Sequence, residues 1–288
     1  MNNLKDDYRK CEEVIKKNSL SFYAAFKNLP LEEANAVYSI YVFNRIIDDI
    51  VDETPDQKAA LEKYQDFYKE YELFKNREAK DSYNWRALRN TVDKYDIPYA
   101  FFEEQLEGQR RGIGLTGFST EEELEEYSRL VAGSVGKMLL PVLSSSYDRK
   151  MERACEELGI AMQYTNILRD ISEDAKVRSQ VYLPEDLMKE YGIRIEHIRE
   201  KRLNDSYKEM IQKMIEKANT YYDSFKDSVS EFKVKARLPL MLALVYYREI
   251  LREIEKDIPG SLEKRVVISS KRKMELFYET RKEIGNRL

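Results

Sequence analysis

Along most of this chain apolar residues return every three or four positions, with charged residues filling the gaps. That is the period of a helix with one buried face. It predicts helices over 5–17, 19–28, 31–52, 55–76, 83–95, 98–111, 120–143, 147–175, 203–228, 233–257 and 270–284. Start signals mark several of them. Thr54, Pro55 and Gln57 offer a cap, a first-turn proline and a capping-box partner, and Thr120 with Glu123 offers a second box. Pro98 and Pro184 also suit first turns. No stretch shows the strict alternation of a strand. The expectation is an all-α protein, with antiparallel helices packed round a centre.

Composition sharpens this. Only 10 Gly and 7 Pro in 288 residues leave little sequence for turns or linkers, so residues 1–288 read as a single domain. The net charge is −4 with both signs spread along the chain, which gives no basic footprint for nucleic acid. The densest basic run, Lys271-Arg272-Lys273, reads as a solvated helix start. Cys11 and Cys155 have no metal-site spacing and suit a reducing compartment. MNNLKDDYRK has no apolar signal segment, and the longest apolar stretch, Leu238 to Tyr247, is about half the ~20 residues of a membrane span. These features predict a soluble, cytoplasmic protein. His197, the single histidine, lies in a charged stretch, which excludes Ser-His-Asp hydrolysis, histidine-ligated zinc and Glu-x-x-His di-iron sites. Gly112 to Gly117 matches G-x-G-x-x-G, but a charged helix precedes it where a dinucleotide site needs a strand, so it reads as a loop.

Candidate chemistry lies in two aspartate pairs, Asp48/Asp52 and Asp170/Asp174. Four-residue spacing puts both carboxylates of a pair on one helix face. The same spacing at Asp52/Asp56 is broken by Pro55, and Asp223/Asp227 sits among Tyr222, Ser224, Lys226 and Ser228 as a solvated face. At about 100° per residue, Tyr41, Arg45, Asp48 and Asp52 share a stripe roughly 60° wide. Gln163, Asn166, Asp170 and Asp174 share one roughly 80° wide. The neighbours are apolar: Ile40, Phe43, Ile46 and Ile47 on one helix, Ile160, Met162, Ile167 and Leu168 on the other. Carboxylates buried in such surroundings need positive charge. A salt-bridge network through Arg45 and Arg169 would supply it, and so would Mg²⁺, which takes oxygen ligands and substrate phosphates. Two carboxylate faces in an apolar helical body suit the removal of a diphosphate from a greasy substrate. Asn18 to Phe22 could add donors at a helix start.

These residues resemble the squalene/phytoene synthase family. The matching stretches are Ser19-Leu20-Ser21-Phe22 with Leu29-Pro30; Tyr41-x-x-x-Arg45-x-x-Asp48-Asp49-x-x-Asp52; Val131 to Gly136; Gln163-x-x-Asn166-Ile167-Leu168-Arg169-Asp170-x-x-x-Asp174; and Val181-Tyr182-Leu183-Pro184. The resemblance covers nearly the whole chain and is most like the bacterial enzymes making dehydrosqualene. It implies an isoprenoid-synthase-type helical bundle around a central apolar cavity. It implies Mg²⁺ on Asp48, Asp52, Asn166 and Asp170, with Asp174 nearby, and catalytic work by these aspartates with Arg45 and Arg169. It implies substrate contacts from Asn18, Ser19, Leu20, Ser21, Tyr41, Arg45, Gln163, Arg169 and Tyr247.

Three positions depart from the family pattern. Asn18 stands where some relatives have His. Tyr127-Ser128-Arg129 replaces Tyr-Cys-Tyr/His. Ser179-Gln180 stands where Gly-Arg is common, leaving Arg178 to supply the charge.

The implied reaction joins two farnesyl diphosphates head to head, through presqualene diphosphate, to a C30 hydrocarbon. Squalene or phytoene formation within the family, a single-substrate terpene cyclase using Asn166/Asp170/Asp174, and a non-catalytic scaffold with salt-bridged acidic faces are the alternatives. An insoluble C30 product predicts loose membrane contact for its release. Phe22, Phe26, Val37, Val135 and Leu139 are candidate cavity wall. The small residues Ala132, Gly133, Ser134 and Gly136 suit either close helix packing or room for an isoprenoid tail.

Overall fold

The computed structural model describes residues 2–175 and 181–285. In chain order the elements are α1 (Asn2–Asn18), α2 (Leu20–Phe26), α3 (Leu31–Asp52), α4 (Gln57–Lys75), α5 (Tyr83–Tyr95) and α6 (Tyr99–Gly112). Next come α7 (Glu121–Ser128), a π turn (Arg129–Gly133), α8 (Ser134–Leu143), α9 (Arg149–Glu173), α10 (Glu185–Glu190) and α11 (Ile195–Arg199). The chain continues through α12 (Asp205–Ser228), a 3-10 turn (Val229–Glu231), α13 (Val234–Lys256), α14 (Ile258–Ser261) and α15 (Ser270–Gly285). Among the described residues the one β pairing is an isolated bridge between Phe118 and Pro184. The all-α expectation holds.

Local chemistry sets the helix ends. Asp56, not Thr54, caps α4: its carboxylate accepts from Ala59 N at 2.8 Å, while Thr54 Oγ1 is occupied by Lys63 Nζ at 3.1 Å. Thr120 accepts from Glu123 N at 3.2 Å as expected, but Glu123 reaches back one residue further, to Ser119 N at 2.7 Å. Asp148 and Asn204 cap α9 and α12 in the same way. Pro98 and Pro184 sit one residue before the first turns of α6 and α10. Gly112 to Gly117 is a loop, with Gly114 at φ +75.

The segment 120–143 is not one continuous helix. It widens into the π turn where Gly133 sits, and Gly136 and Gly159 bring α8 and the π turn close against α9. A Cβ on Gly136 would overlap the Cys155 carbonyl, and one on Gly159 would lie 2.5 Å from Ala132 C and 2.6 Å from Gly133 N. Close backbone approach thus explains the glycines, while Ala132 and Gly136 also line the central cavity, so both readings of the small-residue run stand.

Helix α9 packs on α12, α8 and α13, whereas α3 packs on α1, α5, α8, α4 and α6. These two helices carry the aspartate pairs. Both rest against α8, and a cavity of about 220 Å³ lies between them. Among the described residues no helix is long and apolar enough to cross a membrane.

Candidate active site

The cavity wall combines apolar and polar side chains. Phe22 and Phe26, Leu139, Leu143, Leu158 and Leu240 are among the apolar ones. The two phenylalanine rings lie 4.5 Å apart, and Phe22 is 6.0 Å from the ring of Tyr41. Ser19, Tyr41, Arg45, Asp48, Gln163, Asn166 and Tyr247 are among the polar ones. Val135 is also on the wall, but Val37 is not: it is fully buried in the core on another face of α3.

Helix periodicity explains why the polar residues converge. On α3, Tyr41, Arg45 and Asp48 project inward on one stripe, and Ile40, Phe43 and Ile47 bury the opposite side. On α9, Gln163 and Asn166 project inward, with Ile160, Ile167 and Leu168 buried behind. Asp52 is exposed at the end of α3, and Asp174 is buried just past α9.

Arg45 spans its own helix. It lies 3.6 Å from Asp48 Oδ2 and 3.4 Å from Glu53, and it pairs closely with Asp49. Burial works against its charge, but Asp48 and Asp49 outweigh this and raise its pKa. Asp48 Oδ1 accepts from Gln109 Nε2 at 3.2 Å. The Asp48 side chain keeps 42% exposure but is set into the cavity wall among protein atoms. That burial, with the nearby charge of Asp52, pushes its carboxyl up to about 7 despite Arg45. Burial also raises the Tyr41 phenol well above its ordinary value, keeping it protonated.

Asp170 is better compensated. Arg169 donates to it at 2.9 and 2.5 Å, and Arg265 donates at 2.9 and 3.3 Å from the segment between α14 and α15. Burial opposes the charge on Arg169, and hydrogen bonds with Asp170 outweigh it. The contrast pair behaves as a solvated face: Asp223 is 61% exposed and meets Arg248 at the surface.

Other expected contacts lie outside the cavity wall. Leu20 is 65% exposed, Asn18 Nδ2 is spent on the Val14 carbonyl at 2.9 Å, and Ser21 is half-buried beside the lining. Arg129 turns to Glu126 at 2.7 Å, Glu156 at 3.6 Å and Glu104 at 3.9 Å. Arg178, Ser179 and Gln180 lie outside the described residues. His197 is half-buried, accepting from Arg194 N at 3.3 Å within its own short helix. Arg272 of the basic run reaches buried Glu249 at 2.6 Å, so it anchors α15.

Among the described residues no three His, Cys, Asp or Glu converge as a ready metal cluster. Two atoms nonetheless report unfinished pairing. Asn166 Oδ1 and Arg45 Nε are buried without a hydrogen-bond partner among the described residues. An orphan amide oxygen at the cavity, with carboxylates on both flanking helices, is a donor set of oxygens only. It fits a hard divalent cation that keeps water and phosphate ligands.

Residues 15–272 match the family model described as squalene/phytoene synthase. A phytoene synthase of Narcissus pseudonarcissus is 31% identical over 94% of this chain and 65% of its own length. Phytoene synthase 1 of Solanum lycopersicum is 32% identical over 94% of this chain and 66% of its own. The chain thus spans about two thirds of these plant proteins. The solved structure of a dehydrosqualene synthase in complex with ligand superposes with a TM-score of 0.92 and 31% identity, covering 99% of both chains.

Proposed function

The chain belongs to the squalene/phytoene synthase family, and on that premise we propose that it condenses two farnesyl diphosphates head to head, through presqualene diphosphate, into dehydrosqualene (4,4′-diapophytoene) for C30 carotenoid synthesis. The observation that carries this reading is the mixed lining of the cavity. One wall brings phenylalanines and leucines together with arginine, tyrosine, carboxylate and amide groups. A prenyl diphosphate combines the same two characters.

Arg45 and Arg169 present planar forks of donors suited to diphosphate oxygens. Arg265, already at Asp170, is placed to join them. Asp48, Asp52, Asn166 and Asp170 would hold Mg²⁺, which supplies neutralisation of the charge growing on the leaving diphosphate. The apolar wall then keeps water from the allylic cation. Phe22 and Tyr41 turn aromatic rings toward the same space, where a cation is favoured.

Breaking C1–O of one substrate leaves a cation that the double bond of the second attacks. Loss of a proton closes the cyclopropane. A second C1–O cleavage and rearrangement joins C1 to C1′, and loss of a second proton gives dehydrosqualene without a reductant. A C30 hydrocarbon does not dissolve in water, so its release takes it to a membrane surface.

The plant relatives favour a second reading, phytoene from two C20 substrates. Full-length similarity to a dehydrosqualene synthase supports the C30 reading. The test supplies farnesyl or geranylgeranyl diphosphate with Mg²⁺, with and without NADPH, and identifies products by mass spectrometry. Dehydrosqualene from the C15 substrate alone supports the proposal. C40 product with no C30 product moves the assignment to phytoene, and squalene appearing with NADPH moves it to a reductive synthase. A C15 hydrocarbon indicates a cyclase. No product from either substrate overturns head-to-head condensation.

A further inference from the structure

The surroundings of Asp48 contain a second layer that the family motifs do not include. Gln109 and Gln105 lie one turn apart on α6, both almost fully buried. Gln109 Nε2 lies 3.2 Å from Asp48 Oδ1. Gln105 is oriented with its amide nitrogen toward Leu130 O at 3.1 Å, Val131 O at 2.7 Å and Ser134 Oγ at 2.9 Å. Its carbonyl oxygen then accepts from Gln109 Nε2 at 3.2 Å. The π turn supplies Leu130 and Val131, and Ser134 follows it directly.

The direction of every bond in this chain follows from one end. Backbone carbonyls can only accept, so the Gln105 nitrogen must face them. Its oxygen must then face Gln109, so Gln109 must present its nitrogen, and that nitrogen also faces Asp48. Gly108 lets α6 approach the π turn closely enough: a Cβ there would lie 2.8 Å from both Leu130 Cβ and Val131 Cγ1.

We propose that Gln105 and Gln109 form a polar relay that positions Asp48 for the cation, anchored on the backbone of the π turn. A neutral amide donor fixes the rotamer of Asp48 without competing for its charge. A lysine or arginine at that place would take the site of the metal. Both glutamines are positioning residues, and Val131 on the cavity wall ties the lining to the same turn. This inference rests on the metal–diphosphate reading above.

The test uses the full chain with Mn²⁺ as probe and inorganic pyrophosphate as co-ligand, with free Mn²⁺ measured by electron paramagnetic resonance. Gln109→Met and Gln105→Met keep side-chain length, and thermal unfolding confirms that each is folded. Removing an outer partner of a metal ligand typically weakens the metal by roughly 10–100-fold. That loss is expected for Gln109→Met, with a smaller one for Gln105→Met. The double variant should be no weaker than Gln109→Met, because both act through one bond to Asp48.

Gln109→Asn, which keeps the amide but withdraws it by one methylene, should fail like Gln109→Met. It also serves if the Met variant does not fold. Binding within twofold of wild type in a folded Gln109 variant overturns the relay. So does full additivity of the two losses. If wild type itself binds no Mn²⁺ with pyrophosphate, the metal reading falls and the relay with it.

Discussion

Asp48→Asn separates what this carboxylate does for function from what it does to the fold. Burial and Asp52 raise its carboxyl from 3.8 to about 7. A group raised in the folded state is harmless at low pH, where it is protonated both folded and unfolded. Its cost grows as the pH climbs above about 4 and is complete above about 7. The full rise corresponds to ~4 kcal/mol. Because the side chain is 42% exposed, solvent screening reduces this, and ~1–2 kcal/mol is the working value. Asparagine removes the charge while its amide oxygen can still accept from Gln109, and Arg45 keeps Asp49 and Glu53.

Scanning calorimetry in EDTA at pH 8 should therefore show Asp48→Asn melting roughly 2–3 °C above wild type. The gain should vanish near pH 4. Turnover of farnesyl diphosphate with Mg²⁺ should be lost in the same variant, since one ligand oxygen is replaced by a neutral group. Mg²⁺ with pyrophosphate should raise the melting point of wild type far more than that of the variant. A variant that melts lower than wild type at pH 8, or shifts equally at both pH values, would refute the reasoning. It would show that the protein itself already compensates Asp48.

Other substitutions follow from the packing. Gly159→Ala would drive a methyl group into Ala132 and Gly133, so thermal unfolding should show a loss of ~2–3 kcal/mol, whereas Gly285→Ala, with open space around it, should be neutral or slightly stabilising. Leu143 lines both the cavity and an outer groove beside Phe232, so Leu143→Ala should increase use of geranylgeranyl over farnesyl diphosphate in a competition assay. Glu249 is buried, but hydrogen bonds from Arg272 and Arg252 hold its pKa below the ordinary 4.5. Its stabilisation is present above that value and lost as the pH falls further. Glu249→Gln should lower the melting temperature at pH 7, with the gap closing as the pH falls below the ordinary carboxylate range.

The helical frame was legible because its signal is local. Helices over 31–52 and 83–95 end where periodicity placed them. Apolar neighbours distinguished the cavity-lining Asp48 from the surface pair Asp223/Asp227, whereas Asp52, on the same stripe, is exposed at the end of α3. Short helices such as α10, α11 and α14 escaped notice because four to six residues carry too little periodicity. The π turn was invisible because it answers a tertiary demand, the approach of α6 through Gly108. Arg265 and Gln109 lie 95 and 61 positions from the aspartates they touch. Neither residue type is unusual in its own stretch, and only folding brings them to the site. The signal that could have found Gln109 is weak: two buried glutamines four apart, at positions where helix α6 should be apolar.

The most direct measurement compares Asp48→Ala, Asp170→Ala and Asp223→Ala with wild type, using farnesyl diphosphate, Mg²⁺ and mass-spectrometric product detection. Circular dichroism checks that each variant is folded. C30 hydrocarbon is expected at wild-type rate from Asp223→Ala, with a loss on the order of 10²-fold or more from each of the other two. Equal rates from all three would contradict a diphosphate-ionising site built from two facing aspartate helices.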